Sequence, residues 1–205
     1  MERHNLGGEL FQLVNVYLEE NGLKVNRGTI VDATMIEAPR STKNKKRQRD
    51  PDMESTQKGN QWYFGMKAHI GVDSQSKLIH SVMVTSANVH DSQVLGDLLH
   101  GNERRVYGDS AYTGQHHQIK AQAPAAKDFT HKRGRRNHPL TKKERQANRH
   151  KSTIRPRVEH LFGIIKHQFG YRKVRYKGLA KNAQAVFMKC ALANLVIAKR
   201  HLMSG

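Results

Sequence analysis

The chain of 205 residues is 37% hydrophobic, enough for one core, and sets 36 Lys and Arg against 17 Asp and Glu for a formal net charge of +19. That excess is more than solubility requires and points to a polyanion, nucleic acid first; a membrane surface would call for a basic amphipathic helix with Trp, Phe and Leu opposite. The single cysteine, Cys190, excludes an internal disulfide framework and a cysteine-built zinc site and suits a reducing cytoplasm. Residues 1–15 carry Glu2, Arg3, His4 and Glu9 and lack the apolar core of a signal peptide.

In chain order, Leu10, Leu13, Val14 and Leu18 predict a helix over 7–22, stopped by Asn21-Gly22. Thr29–Ile36 reads as a short strand carrying Asp32, and 40–60 as a polar loop holding Lys43, Lys45, Lys46, Arg47 and Arg49. From Trp62 to Val72 apolar residues alternate with Tyr63, Gly65, Lys67, His69 and Gly71, the period of a strand with one apolar face. Asp73–Ser76 is a turn and Leu78–Ser86 a second strand, so the two form an antiparallel hairpin. A short helix is expected over 91–100, a strand over 105–108 delivering Asp109, a helix over 115–122 and a weak strand over 125–130.

Residues 132–151 are intensely basic, with Arg135 and Arg136 early and a Thr141/Glu144 capping box. A helix begins near Pro156 with Ile154, Val158, Leu161, Phe162, Ile165 and Phe169 as its buried stripe. The last helix, 179–201, is apolar on most faces and is expected to be buried; its run Ala183–Ala198, holding Lys189 and Asn194, is too short and polar to span a membrane. The order predicts an α/β fold, a mixed sheet flanked by helices.

Three carboxylates stand out against this basic background: Asp32 and Asp109 at strand ends and Glu159 on a helix. Such positions can converge from far apart in sequence, and oxygen ligands suit a hard divalent cation held against phosphate. Two such ions about 3.5–4 Å apart would stabilise both the attacking and leaving oxygens of an in-line displacement. At about 100° per residue Arg155, Glu159 and Lys166 fall within roughly 40° on one helix face. Blander readings stand beside this one. Arg155 and Glu159 form an i,i+4 pair that, if only exposed, contributes about 0.2–0.5 kcal/mol. His90 and Asp91 read either as a ligand pair or as a helix N-terminus. Trp62 reads as a core or hairpin residue before a base-stacking platform.

The chain resembles the DDE transposases of bacterial insertion sequences, above all insertion-sequence family five. The resemblance rests on Gly28–Thr34, Tyr63–Asp73, Val89-His90-Asp91-Ser92, Tyr107–Tyr112 and Arg155–Phe162 through Lys166, in that order. It implies an RNase H-like catalytic domain over 28–205, behind a residual helical segment over 1–27. The metal-binding catalytic triad then falls on Asp32, Asp109 and Glu159, with Mg2+ or Mn2+ as cofactor. The family signature Tyr-x2-Arg-x3-Glu-x6-Lys is met at Arg155, Glu159 and Lys166, whereas Ser152 stands where the tyrosine is expected. The resemblance further implies terminal inverted repeats and target DNA as partners, a homo-oligomer when active, no membrane, and a bacterial cytoplasmic, nucleoid-associated setting. Arg155 and Lys166, with Lys45, Lys46, Arg47, Arg135 and Arg136, are the expected DNA contacts. About thirty residues precede Asp32, where the family usually carries a further helical domain, so that region is expected to be missing. The rival functions are a catalytically silent DNA-binding remnant and a general RNase H-like nuclease.

Overall fold

A computed structural model describes residues 5–23 and 25–203. Residues 1–4 and 24, which belong to the expected front segment, and the final residues 204–205 lie outside the described residues. The elements are α1 (Leu6–Glu20), β1 (Gly28–Glu37), β2 (Glu54–Lys58), β3 (Gln61–Asp73), β4 (Ile79–Ser86), β5 (Arg105–Tyr107), α2 (His116–Gln122), β6 (Lys127–Asp128), α3 (Lys142–Ser152), α4 (Pro156–Gly163) and α5 (Leu179–Leu202).

The sheet is organised by β3, whose alternating sequence makes it the longest strand. Along one side it pairs antiparallel with β1, from Thr29↔Asp73 to Glu37↔Gly65. Along the other it pairs first with β2 and then, from Met66 onward, with β4. The change of partner falls at Gly65, whose φ of +156° and whose missing Cβ, which would lie 2.2 Å from the Ile36 carbonyl oxygen, leave room only for glycine. β5 adds parallel to β1, and β6 parallel to β5. The result is an RNase H-like mixed sheet flanked by helices, as the sequence predicts.

Both faces are covered, which is why β3 is buried on both sides over most of its length rather than on one. On one face Ile30, Ile36, Met66 and Ile70 pack against Val158, Leu161 and Ile165 of the α4 region and Val186 and Cys190 of α5. On the other, Val31 and Val106 pack against Leu95, Leu98, Tyr112 and Ile119. Asn194 is the polar clamp of this assembly. It accepts from Ile79 N (2.8 Å) and donates to Ile79 O and Asn15 Oδ1 (both 2.7 Å), tying α5 to β4 and α1. Satisfied in this way, an asparagine can sit fully buried in an apolar helix.

Several expectations are corrected. The loop 40–60 contains β2, a strand exposed along nearly all its length that exists through its pairing with β3. Residues 91–100 form two 3-10 turns, Asp91–Val94 and Gly96–Leu98, in place of one helix. The strand expected over 125–130 shrinks to Lys127–Asp128. α4 ends at Gly163 and passes into a π turn over Ile164–Gln168. α5 is only partly buried, since Leu192 and Val196 are each 42% exposed. Trp62 takes the hairpin place of the two expected for it, exposed in the β2–β3 pair and outside the core. The Thr141/Glu144 capping box is present. No helix among the described residues is long and apolar enough to cross a membrane.

Candidate active site

The register of two parallel strands brings Asp32 and Asp109 together. β5 pairs with β1 only as far as Ile30↔Tyr107. Two residues on stand Asp32, still within β1, and Asp109, just past the end of β5, so neighbouring strands about 4.8 Å apart carry both carboxylates to the lining of one cleft. The chain turns away from the sheet through Gly108, where a Cβ would come within 2.9 Å of the Tyr112 ring and 3.1 Å of Val31. Asp109 then caps the short 3-10 turn Ser110–Tyr112, its Oδ1 accepting from Ala111 N at 2.7 Å.

Asp32 is poorly compensated for its burial. It is 8% exposed, its Oδ1 accepts from Ala33 N at 2.8 Å, and its Oδ2 lies 3.7 Å from Arg155 Nε. Burial lifts its carboxyl from 3.8 to about 6; the Ala33 N–H and Arg155 pull it down, and the charges of Asp109 and Asp91 push it up. Glu159 projects from the first turn of α4, where the helix dipole favours an acid. Its Oε1 lies 3.6 Å from the same Arg155 Nε. One guanidinium therefore stands between Asp32 and Glu159.

The cleft over this pair is walled by Phe129, His131, Lys151 and Arg155. Burial and the positive charges of Lys151 and Arg155 hold the His131 imidazole below its ordinary value. Ser152 donates to Asn148 O (2.9 Å) and lies 3.4 Å from His131 Nε2, so the position expected to hold tyrosine adjoins the cleft wall.

The donor chemistry of Asp32 and Asp109, hard oxygens in a partly buried and electrostatically frustrated pair, fits a divalent cation. Glu159 is reached only across Arg155. Among the described residues no three His, Cys, Asp or Glu side chains are grouped closely enough to hold one ion together.

Lys166 is not brought to this cleft. The π turn, marked by Phe169 N donating to Ile164 O, breaks the 100° phase that would align it with Glu159. Its charged neighbours are Lys58, Glu37 and Arg172. It belongs instead to a basic groove with Arg172, Lys173 and Arg175. Arg175 also lines the adjoining groove of Lys45, Lys46 and Arg49. Arg47 is exposed in that loop, with φ +50°. On the other flank, Arg135 closes a tight turn with His138 and lines a groove that shares His131 and Lys151 with the carboxylate cleft; Arg136 is exposed in the same turn.

Two features escape sequence reading. The run Arg172-Lys173-Val174-Arg175-Tyr176-Lys177 is as dense in charge as 43–49 and carried that signal openly. The other is the reverse side of the site. Lys67 Nζ pairs with Asp91 Oδ1 at 2.8 Å, and the buried Tyr112 hydroxyl, without a hydrogen-bond partner among the described residues, feels the charges of Asp91, Asp32 and Asp109. His90 and Asp91 turn to different partners, as the helix N-terminus reading has it: His90 Nδ1 accepts from Ser92 N, while Asp91 accepts from Lys67.

The chain matches no solved structure at a significant level. The family model of the transposase DDE domain matches residues 24–195, a span that takes in every strand and all three carboxylates, and the chain belongs to that family.

Proposed function

We propose that this protein is the catalytic domain of a DNA transposase of the insertion-sequence type, most similar to insertion-sequence family five. On this reading Asp32, Asp109 and Glu159 are its acidic triad, 28–205 is the catalytic unit and 1–27 an appended helical segment. The observation that carries the reading is the register-matched pair Asp32 and Asp109, opening between basic grooves in an RNase H-like sheet.

The triad would hold Mg2+ or Mn2+. When bound there, such an ion supplies Lewis acidity and offsets the charge that builds on the phosphate oxygens. The chain's own residues bind and orient. Arg155 keeps positive charge at the mouth of the cleft and restrains both Asp32 and Glu159. Lys151, held by donation to Thr130 O at 2.8 Å, adds a second cation to the cleft lining. The scissile phosphate would lie against the two. Water oxygen would attack phosphorus and the P–O3′ bond break, leaving a 5′-phosphate and a 3′-hydroxyl that takes up the proton lost by the water. That hydroxyl would then attack a phosphate of target DNA, its new P–O3′ bond replacing the one to the target strand's 3′-oxygen, which leaves as a hydroxyl with the attacking group's proton. No covalent bond to the protein is required.

Arg135, Arg136, Lys45, Lys46, Arg47 and Lys166 lie away from the carboxylates and would contact the phosphate backbone, giving salt-sensitive affinity without sequence readout. α3 extends this surface. It has no buried residue and meets the body through polar contacts such as the Lys132–Asn148 pair, leaving Lys142, Arg145 and Arg149 exposed. In a cell the protein would sit in the bacterial cytoplasm with the nucleoid.

Nicking of DNA bearing the element's terminal inverted repeats in Mg2+ or Mn2+ tests the proposal. Wild type should nick, and Asp32→Ala, Asp109→Ala and Glu159→Ala should each abolish nicking; retention in all three rejects the triad. A second reading, DNA binding without cleavage, draws on Arg155 standing between Asp32 and Glu159. It requires salt-dependent binding with no nicking in either metal.

A further inference from the structure

The loop 172–177, between the π turn and α5, exposes Arg172, Lys173, Arg175, Tyr176 and Lys177, yet its backbone is held along its length. Lys173 stands opposite Glu37 at the end of β1, where Glu37 N donates to Arg172 O at 3.0 Å and Val174 N to Glu37 O at 2.9 Å. Asn182, fully buried on α5, gathers the rest. Its Oδ1 accepts from the Tyr171 hydroxyl (2.9 Å), Arg175 N (3.2 Å) and Tyr176 N (3.3 Å), and its Nδ2 donates to Tyr176 O and Gly178 O (both 2.7 Å). Asp50 accepts from Gly178 N at 2.7 Å and Asp52 from Leu179 N at 2.9 Å. A surface loop held in this way loses its freedom on folding, so a ligand need not order it.

Tyr176, 52% exposed, stands on a divide. On one side runs the groove of Lys45, Lys46, Arg49 and Arg175. On the other is a pocket of about 370 Å³ against α5, which Tyr176 lines with Gly7, Ala185, Met188, Lys181 and Lys189. The Lys189 ammonium is held 4.6 Å from the centre of the Tyr171 ring. The volume falls within the range of small-molecule sites, about 300–1,000 Å³.

A contact to phosphate alone gains nothing from an aromatic ring beside Ala185 and Met188. A cationic groove that adjoins an exposed aromatic ring suits a nucleic-acid strand with a base out of the stack, its phosphates in the groove and its base on the ring. A base inside a duplex has both faces covered by its neighbours and cannot stack there.

We infer that the Tyr176 pocket receives an unpaired nucleobase of DNA whose backbone lies in the adjoining basic groove. Lys173, opposite Glu37, is five residues or roughly 17 Å along β1 from Asp32. At about 3.4 Å per nucleotide, the base taken up lies about five nucleotides from a phosphate at the carboxylate cleft. Such a site rests on the reading of this chain as a DNA-handling protein and needs neither the acidic triad nor a metal ion.

The test is titration of the full chain, in metal-free buffer, into a duplex bearing a single bulged 2-aminopurine and into the same duplex with that base paired. Wild type should bind the bulged duplex more tightly and quench its fluorescence. Tyr176→Ala should lose the quench and roughly tenfold in affinity for the bulged duplex, with unchanged circular dichroism. Its affinity for the paired duplex should change by less than about twofold. Tyr176→Phe should keep the quench. Equal binding of the two duplexes by wild type, without a quench, overturns the inference and leaves the DNA-handling reading standing; binding to neither overturns both. An affinity loss in Tyr176→Ala that is equal for the two duplexes would make Tyr176 a backbone contact and also overturn the inference.

Discussion

Asp73 and Asp32 are both buried carboxylates on the β1–β3 pair, and the fold treats them in opposite ways. Asp73, fully buried at the end of β3, accepts from Asn26 N, Gln75 N and both the amide and hydroxyl of Ser76. Asp32, nearly as buried, has the Ala33 N–H and a guanidinium 3.7 Å away. One carboxylate completes a turn. The other is held charged at a cost, and a carboxylate so placed is suited to an external cation.

The largest effect expected from this contrast is on Asp73. Asp73→Ala removes the carboxylate that accepts from the Asn26, Gln75 and Ser76 amides, part-buried charge-assisted bonds worth about 1.5–3 kcal/mol each, and should lower unfolding free energy in urea by more than about 3 kcal/mol. A drop under about 1 kcal/mol would break the comparison.

Asp32→Asn should do the reverse. The folded carboxyl titrates near 6 and the unfolded one near 3.8, so the folded state favours the protonated form. Its contribution is full below pH 3.8 and is lost as pH rises through 6. Metal-free Asp32→Asn should therefore be more stable than wild type at pH 7, by up to about 3 kcal/mol, and should lack that part of the pH slope. Equal stability of the two proteins at pH 7 would contradict the account.

Arg155→Ala sharpens the same point more gently. Without the guanidinium, the Asp32 midpoint should rise further above its present position in a carbon-detected NMR titration; a fall would show that Arg155 does not act on it. The smallest effect on folding belongs to the exposed face of α3. Arg145→Ala and Arg149→Ala should leave stability within about 0.5 kcal/mol. Each should reduce the salt dependence of DNA binding by about 0.9 in log–log slope for every phosphate that the arginine neutralises.

The parts of the molecule legible in sequence are those where one local signal decides. The alternation of 62–72 yields β3, Pro156 starts α4, and Thr141 with Glu144 caps α3. The positions of Asp32 and Asp109 after short apolar runs mark them as strand-end carboxylates. What escaped depends on tertiary pairing. Glu54-Ser55-Thr56-Gln57-Lys58 has no apolar face, so β2 is visible only once β3 offers an edge. Helical phase from Glu159 to Lys166 fails because the backbone widens into a π turn between them. Asn194 looks like a flaw in an apolar helix and is its clamp.

The most direct test of the central claim, that Asp32 and Asp109 form a cation site the fold leaves uncompensated, is titration of the purified chain with Mn2+ by calorimetry. Wild type should bind, Asp32→Asn and Asp109→Asn should lose that binding, and Lys166→Ala should retain it. Undiminished Mn2+ binding in both Asn variants would contradict the claim.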